Sequence, residues 1–101
     1  VKKFGLRAPM VGHLGDGNFH VLLPYNPEKK ETYEKIRKFS DLLIEKTLEL
    51  EGTITGEHGV GLHKKEYLKK EHGDNLPTMK LIKRTMDPNN IMNPGKIFDL
   101  N

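Results

Sequence analysis

The sequence predicts an α+β chain in which an antiparallel sheet, a hairpin plus one short strand, is covered by helices. Three observations carry that expectation. An Asp-Gly pair lies between two short runs of strand-forming residues near the start. A long stretch then repeats apolar residues at spacings of three and four. The β-branched Thr53-Ile54-Thr55 follows, entering a glycine-rich segment before helical periodicity resumes. With no internal repeat and no dividing linker, the elements fit one domain over residues 1–101, half of a larger sandwich of helices on an antiparallel sheet.

The opening Val1-Lys2-Lys3-Phe4-Gly5-Leu6-Arg7 carries no helix cap or start signal, and its first residue is not methionine. A piece whose natural N-terminal part is missing is expected. Residues 8–23 form the hairpin, turned by Gly15-Asp16-Gly17-Asn18, because Asp-Gly tolerates the positive φ that a tight turn requires. Asn26 is then placed as a helix N-cap and Pro27 at the first helical position, where its missing N–H costs nothing. Tyr33, Ile36, Phe39, Leu43, Ile44, Thr47 and Leu48 share one helical face, and Gly52 is the expected stop. A short helix over about 64–71, stopped near Gly73, precedes another over about 75–86. In the latter Met79, Ile82 and Met86 share a face, and Asp87-Pro88 ends it. The tail through Asn93-Pro94-Gly95-Lys96 has turn signals and no periodicity, so it is expected to be extended and loosely held.

Composition narrows the function classes. Hydrophobic content of 35% against charged content of 31% leaves one modest core and much solvated helix surface. The 17 basic residues are interleaved with 14 acidic ones, without the clustered basic stripe of a nucleic-acid binder. The absence of cysteine excludes a disulfide scaffold, a thiolate zinc site and an iron–sulfur cluster in these residues, so a metal here must be held by nitrogen and oxygen. No apolar run approaches the roughly 20 residues of a membrane span, and the expected setting is cytoplasmic.

Candidate chemistry gathers in two places. A two-residue turn centred on Asp16-Gly17 would pair residues whose numbers sum to 33, and His13 and His20 meet that sum. Directly opposed residues point to one face with Cβ atoms about 4.5–5.5 Å apart, close enough for two imidazoles to grip one ion. Pairing alone fixes neither as a ligand, and a cross-strand histidine pair on a solvated face is the plainer reading. Glu57 and His58 stand between glycines, where backbone can approach a ligand closely. Two histidines and a carboxylate leave coordination positions open, as catalytic rather than structural metal sites do. The order Gly56, Gly59, Gly61 reverses the dinucleotide fingerprint, which argues against nucleotide binding by this loop. His63 and His72 sit among lysines and glutamates and are read as surface residues.

Three segments taken together, Gly12-His13-Leu14-Gly15-Asp16-Gly17-Asn18-Phe19-His20, Gly56-Glu57-His58-Gly59-Val60-Gly61, and Asp87-Pro88 through Asn93-Pro94-Gly95-Lys96, resemble the C-terminal domain of FAD-linked oxidases. That family contains D-lactate dehydrogenases, D-2-hydroxyglutarate dehydrogenases and the flavin subunit of glycolate oxidase. The resemblance implies a partial ferredoxin-like cap, with the FAD-binding domain and the first part of the cap outside these residues. It implies that His13, His20 and Glu57 are ligands to a divalent metal, usually zinc, and that His58 is the base beside the flavin. Asn93 would lie near the FAD cofactor, although Asn-Pro also starts plain turns.

The implied activity is oxidation of a D-2-hydroxyacid to the 2-oxoacid, with a divalent metal lowering the pKa of the substrate hydroxyl and His58 accepting its proton. The implied partners are the 2-hydroxyacid, the FAD-binding domain and a redox acceptor, in the cytoplasm or peripheral to a membrane as part of a respiratory complex. These residues alone are expected to be inactive and flavin-free, and to self-associate through uncovered apolar surface. Two other classes remain open: a stand-alone metal- or small-acid-binding module, and a metallohydrolase using a metal-activated water.

Overall fold

Chain reversal at Asp16-Gly17 does produce the expected hairpin, with a longer turn. In the computed structural model, which describes residues 2–101, Met10–His13 (β1) and Asn18–Val21 (β2) pair antiparallel as a two-stranded sheet. The register is Met10 with Val21, Val11 with His20, Gly12 with Phe19 and His13 with Asn18. Those pairs sum to 31 rather than 33. Leu14–Asp16 form a 3-10 turn closed by Gly17, whose φ of 69° is left-handed and whose N–H donates to Leu14 O at 3.0 Å. Four residues therefore connect the strands, a length commonly built around a tight i to i+3 turn. The ladder extends beyond the strands through Leu22 N–H to Pro9 O at 2.9 Å.

The chain forms two compact units, residues 1–51 and 52–101. In the first, the hairpin is followed by Lys30–Glu49 (α1). Asn26 does not cap this helix as expected. Its side-chain oxygen accepts Glu28 N–H at 3.0 Å, and Lys29 N–H bonds Asn26 O at 3.0 Å, closing a separate turn around Pro27. Local Asx bonding of this kind competes with helix initiation, and the helix begins three residues later than the proline. Phe39 is the buried residue of α1, and Ile36, Leu43, Ile44, Thr47 and Leu48 of its apolar face are half-buried. Phe4 meets Phe39 edge-on with ring centroids 5.9 Å apart, a favoured aromatic geometry. Tyr33 remains exposed, tilted against Tyr25 at 6.1 Å. The left-handed residue ending the helix is Glu51, at φ 60°, and not Gly52.

In the second unit the expected third strand is absent among the described residues. Thr53-Ile54-Thr55 has no ladder partner, because the backbone groups of buried Ile54 are satisfied by side chains. Its N–H donates to Glu71 Oε2 at 3.3 Å, and its carbonyl accepts Lys64 Nζ at 3.3 Å. Lys65–His72 (α2) and Leu76–Met86 (α3) are the predicted helices. Gly73 does not stop the chain; it is right-handed, and a 3-10 turn over Gly73–Asn75 leads straight into α3, with Pro77 in its first turn. Leu68 and Leu76 are buried. The expected Met79, Ile82 and Met86 face is only partly covered: Met79 is half-buried, whereas Ile82 and Met86 are exposed. Burial along α3 falls on its first turn, at Leu76, instead. Among the described residues no helix is long and apolar enough to cross a membrane.

The tail departs most from expectation. Rather than extending, residues 87–101 fold back as a series of turns with left-handed Asn90, Asn93, Gly95 and Ile97. Asp87, with only 6% of its surface exposed, organises them. Its carboxylate accepts the N–H groups of Ile91 at 3.1 Å and Met92 at 3.0 Å and is bonded by Lys83 Nζ.

Candidate functional site

Register places the first two candidate ligands. Val11, His13, Asn18 and His20 alternate onto one face of the hairpin, so the two histidines do share a face. They are not directly opposed, because His13 faces Asn18 and His20 faces Val11. A diagonal pair of this kind has Cα atoms about 7–8 Å apart, still within reach of two long aromatic side chains. His13 is exposed and His20 half-buried. Gly12 makes this close pairing possible: a Cβ there would lie 2.4 Å from Asn18 O and 2.5 Å from the Cα of Phe19.

Glu57 and His58 occupy the loop of residues 56–61 in the second unit. The loop is closed by Gly59 N–H to Gly56 O at 3.2 Å, and Gly59 and Gly61 take left-handed angles of 71° and 57°. Side chains at such positions are strained, which explains glycine there. Glu57 Oε1 lies 3.8 Å from His58 Nε2, with the imidazole 76% exposed and the carboxylate 46% exposed. Two neighbouring donors, one oxygen and one nitrogen, are thus presented outward together. Imidazole nitrogen and carboxylate oxygen are the donor set of open, catalytic zinc or iron sites, so the chemistry of these residues fits a divalent cation.

Asn93 sits in the folded tail at φ 46°, with Lys96 N–H bonded to its carbonyl at 3.3 Å. It borders a cleft of about 270 Å³ between α3 and the tail, lined also by Lys83, Met86, Met92, Ile97 and Phe98. Lys83 spans it, donating to Met92 O at 2.6 Å. Asp87 is held below the usual carboxylate range by the bond from Lys83 first, then by the N–H of Met92. Asp99 is lowered in the same direction by Lys65, whose Nζ lies 2.9 Å from it.

Sequence reasoning missed these anchoring residues. Asp87 reads as a helix terminator before proline, yet its larger part is to gather the tail. The signal was present in Lys83 one helical turn earlier, an i, i+4 partner. Glu71 and Lys64, which satisfy Ile54, carry no local motif.

A paired-histidine hairpin and a glycine-bounded Glu-His loop on a small α+β chain define a class, and the chain belongs to the family described as FAD linked oxidases, C-terminal domain, which matches residues 1–97. Several curated relatives align along most of it. The mitochondrial D-lactate dehydrogenase (cytochrome) of Arabidopsis thaliana is 45% identical over 94 residues, covering 92% of this chain and 17% of that protein. Glycolate oxidase subunit GlcD of Bacillus subtilis is 41% identical over 97 residues, covering 95% of this chain and 21% of the relative. D-2-hydroxyglutarate dehydrogenase of Stutzerimonas stutzeri is 41% identical over 90 residues, 86% of this chain and 19% of its own length. The chain therefore spans about a fifth of the length of these relatives.

Proposed function

We propose that this chain supplies the metal-binding and proton-accepting side of an FAD-dependent oxidoreductase that converts a D-2-hydroxyacid to its 2-oxoacid. The reading is carried by the shared histidine face of the hairpin and, separately, by the exposed Glu57-His58 loop, in a chain of this family. The relatives' names share one chemistry, a hydroxyl on the carbon beside a carboxylate.

In this reading His13, His20 and Glu57 hold a divalent cation, zinc by the family resemblance, with donors that suit zinc or iron. When bound, such a cation lowers the pKa of the substrate hydroxyl and orients it. His58, outward-facing and next to Glu57, accepts the hydroxyl proton on an imidazole nitrogen. FAD, held mainly by residues outside this chain, would supply the hydride acceptor that oxidation to the 2-oxoacid requires. Asn93, which borders the cleft at the tail, is the residue of this chain proposed to lie near the cofactor. The partners proposed are an FAD-binding domain and a redox acceptor, in the cytoplasm or at a membrane periphery. Exposed Leu14, Met86 and Ile91 make self-association of the chain alone the expected behaviour, which sedimentation over a concentration series checks.

Elemental analysis and visible absorption of the full-length protein test the core of the proposal. One tightly held divalent metal together with flavin bands bleached by D-lactate, glycolate or D-2-hydroxyglutarate is the expected result. His58→Ala should slow bleaching by about 10²–10⁴-fold with metal content unchanged. His13→Ala and His20→Ala should each lower metal occupancy. Full occupancy in both hairpin variants overturns the ligand assignment, and hydrolytic turnover without flavin overturns the redox reading.

A further inference from the structure

We propose that Asp87 is a positioning residue for the Glu57-His58 loop, acting through the folded tail and the bond from Ile97 N–H to Gly61 O. The functional meaning of that loop rests on the reading above; the mechanical coupling does not.

The linkage can be followed bond by bond. Asp87 collects Lys83 Nζ, Ile91 N–H and Met92 N–H, while its own carbonyl accepts Asn90 N–H at 3.0 Å. Lys83 adds a second hold on Met92 through its carbonyl. The start of the tail is thereby fastened to the last turn of α3. Asn93 and Gly95, both left-handed, then turn the chain, with Lys96 N–H bonded to Asn93 O. Ile97 arrives with its N–H 2.7 Å from Gly61 O, at the end of the loop that carries Glu57 and His58. Beyond it, Lys65 holds Asp99 and Arg84 holds Leu100 O, so the tail is pinned on both sides of Ile97.

Two features make this more than general adhesion. Ile97 stands at φ 71°, a left-handed angle that a β-branched residue rarely adopts and keeps only where its surroundings over-determine it. The loop it touches contains two left-handed glycines and a 3.2 Å closing bond, and Gly61, which accepts from Ile97, is one of those glycines. The other end is set at Ile54 by Glu71 and Lys64. Lys64 N–H also bonds Val60 O at 3.4 Å, so Asp87 governs one support of the outward-facing Glu-His pair among several.

The test is amide NMR of the isotopically labelled chain. On acidification through the protonation of Asp87, the amides of Ile97 and Leu62, flanking the 2.7 Å bond, should shift in step with those of Ile91 and Met92. Lys83 and Lys96 are the cations lining the same cleft. Asp87→Asn at neutral pH should reproduce the acid shifts and speed hydrogen exchange at Ile97 by about tenfold, as loss of a charge-assisted bond would, leaving Leu68 unchanged. Asp87→Glu should restore part of the protection. The proposal is overturned if Ile91 and Met92 respond while Ile97, Leu62 and the Glu57 and His58 amides do not. If Asp87→Asn unfolds the chain, the acid titration is read in an Asp99→Asn chain, which removes the other tail carboxylate, two residues beyond Ile97. Zinc ion added by itself separates the two readings: no response at Glu57 and His58 counts against the metal reading, while the tail-to-loop coupling is still judged by the amides.

Discussion

The hairpin and the 56–61 loop both present candidate ligands, but they are built by opposite means. His13 and His20 are aimed by a backbone ladder, in which alternation alone decides the face. Glu57 and His58 stand in an irregular loop held by Glu71 and Lys64 side chains at Ile54, by the tail amide of Ile97 at Gly61, and by Lys64 N–H at Val60 O. A ladder is sensitive to steric intrusion and indifferent to charge. A loop tied by carboxylates and ammonium groups has the reverse sensitivity.

The largest effect should come from breaking the ladder. Gly12→Ala puts a methyl within 2.5 Å of the facing backbone, which cannot give way as a side chain can. A loss of about 3 kcal/mol in hairpin stability is expected, at the upper end for over-packed sites, read as lost amide protection in both strands. Glu71→Ala comes next. It leaves the buried Ile54 N–H without its acceptor, for about 2 kcal/mol in a urea unfolding midpoint, with the hairpin amides unaffected. Acid should discriminate the two regions without any substitution. Asp87 has a folded pKa below its unfolded value, so its contribution is present above the ordinary aspartate range near about 4. The unfolded chain binds the proton first, and the contribution is lost as pH falls toward the depressed folded value. Tail amides should therefore lose protection through that window while β1 and β2 hold theirs. The smallest effect belongs to Asp99→Asn: the Lys65 pair is exposed on its acidic side, and no measurable change in unfolding midpoint is expected.

The same contrast explains what was legible in the sequence. The three helices follow from spacing, and Phe39, one of the seven residues of the expected apolar face, is indeed the buried residue of α1. The hairpin was legible from Asp16-Gly17, and so was the shared face of its histidines, although the turn is two residues longer than the shortest possibility. The failures concern backbone groups satisfied by distant side chains. Thr53-Ile54-Thr55 has strand-like composition, but composition cannot announce that Glu71, seventeen residues away, will take the place of a neighbouring strand. The tail lacks periodicity and so resembled a loose segment; its order starts at one buried carboxylate and is completed by bonds from Ile97, Lys65 and Arg84. The start of α1 slipped for a related reason, since the Asn26 side chain accepts Glu28 N–H instead of capping the helix.

The length of the connection between β1 and β2 has a consequence for how this chain can vary. Four residues or two between the strands leave both histidines on the same side of the sheet, because each step of two preserves the odd-even relation of their positions. Removing a single residue from the connection without a compensating bulge would send one imidazole to the far side. Parity is therefore the property under constraint, and paired deletions should be far better tolerated there than single ones.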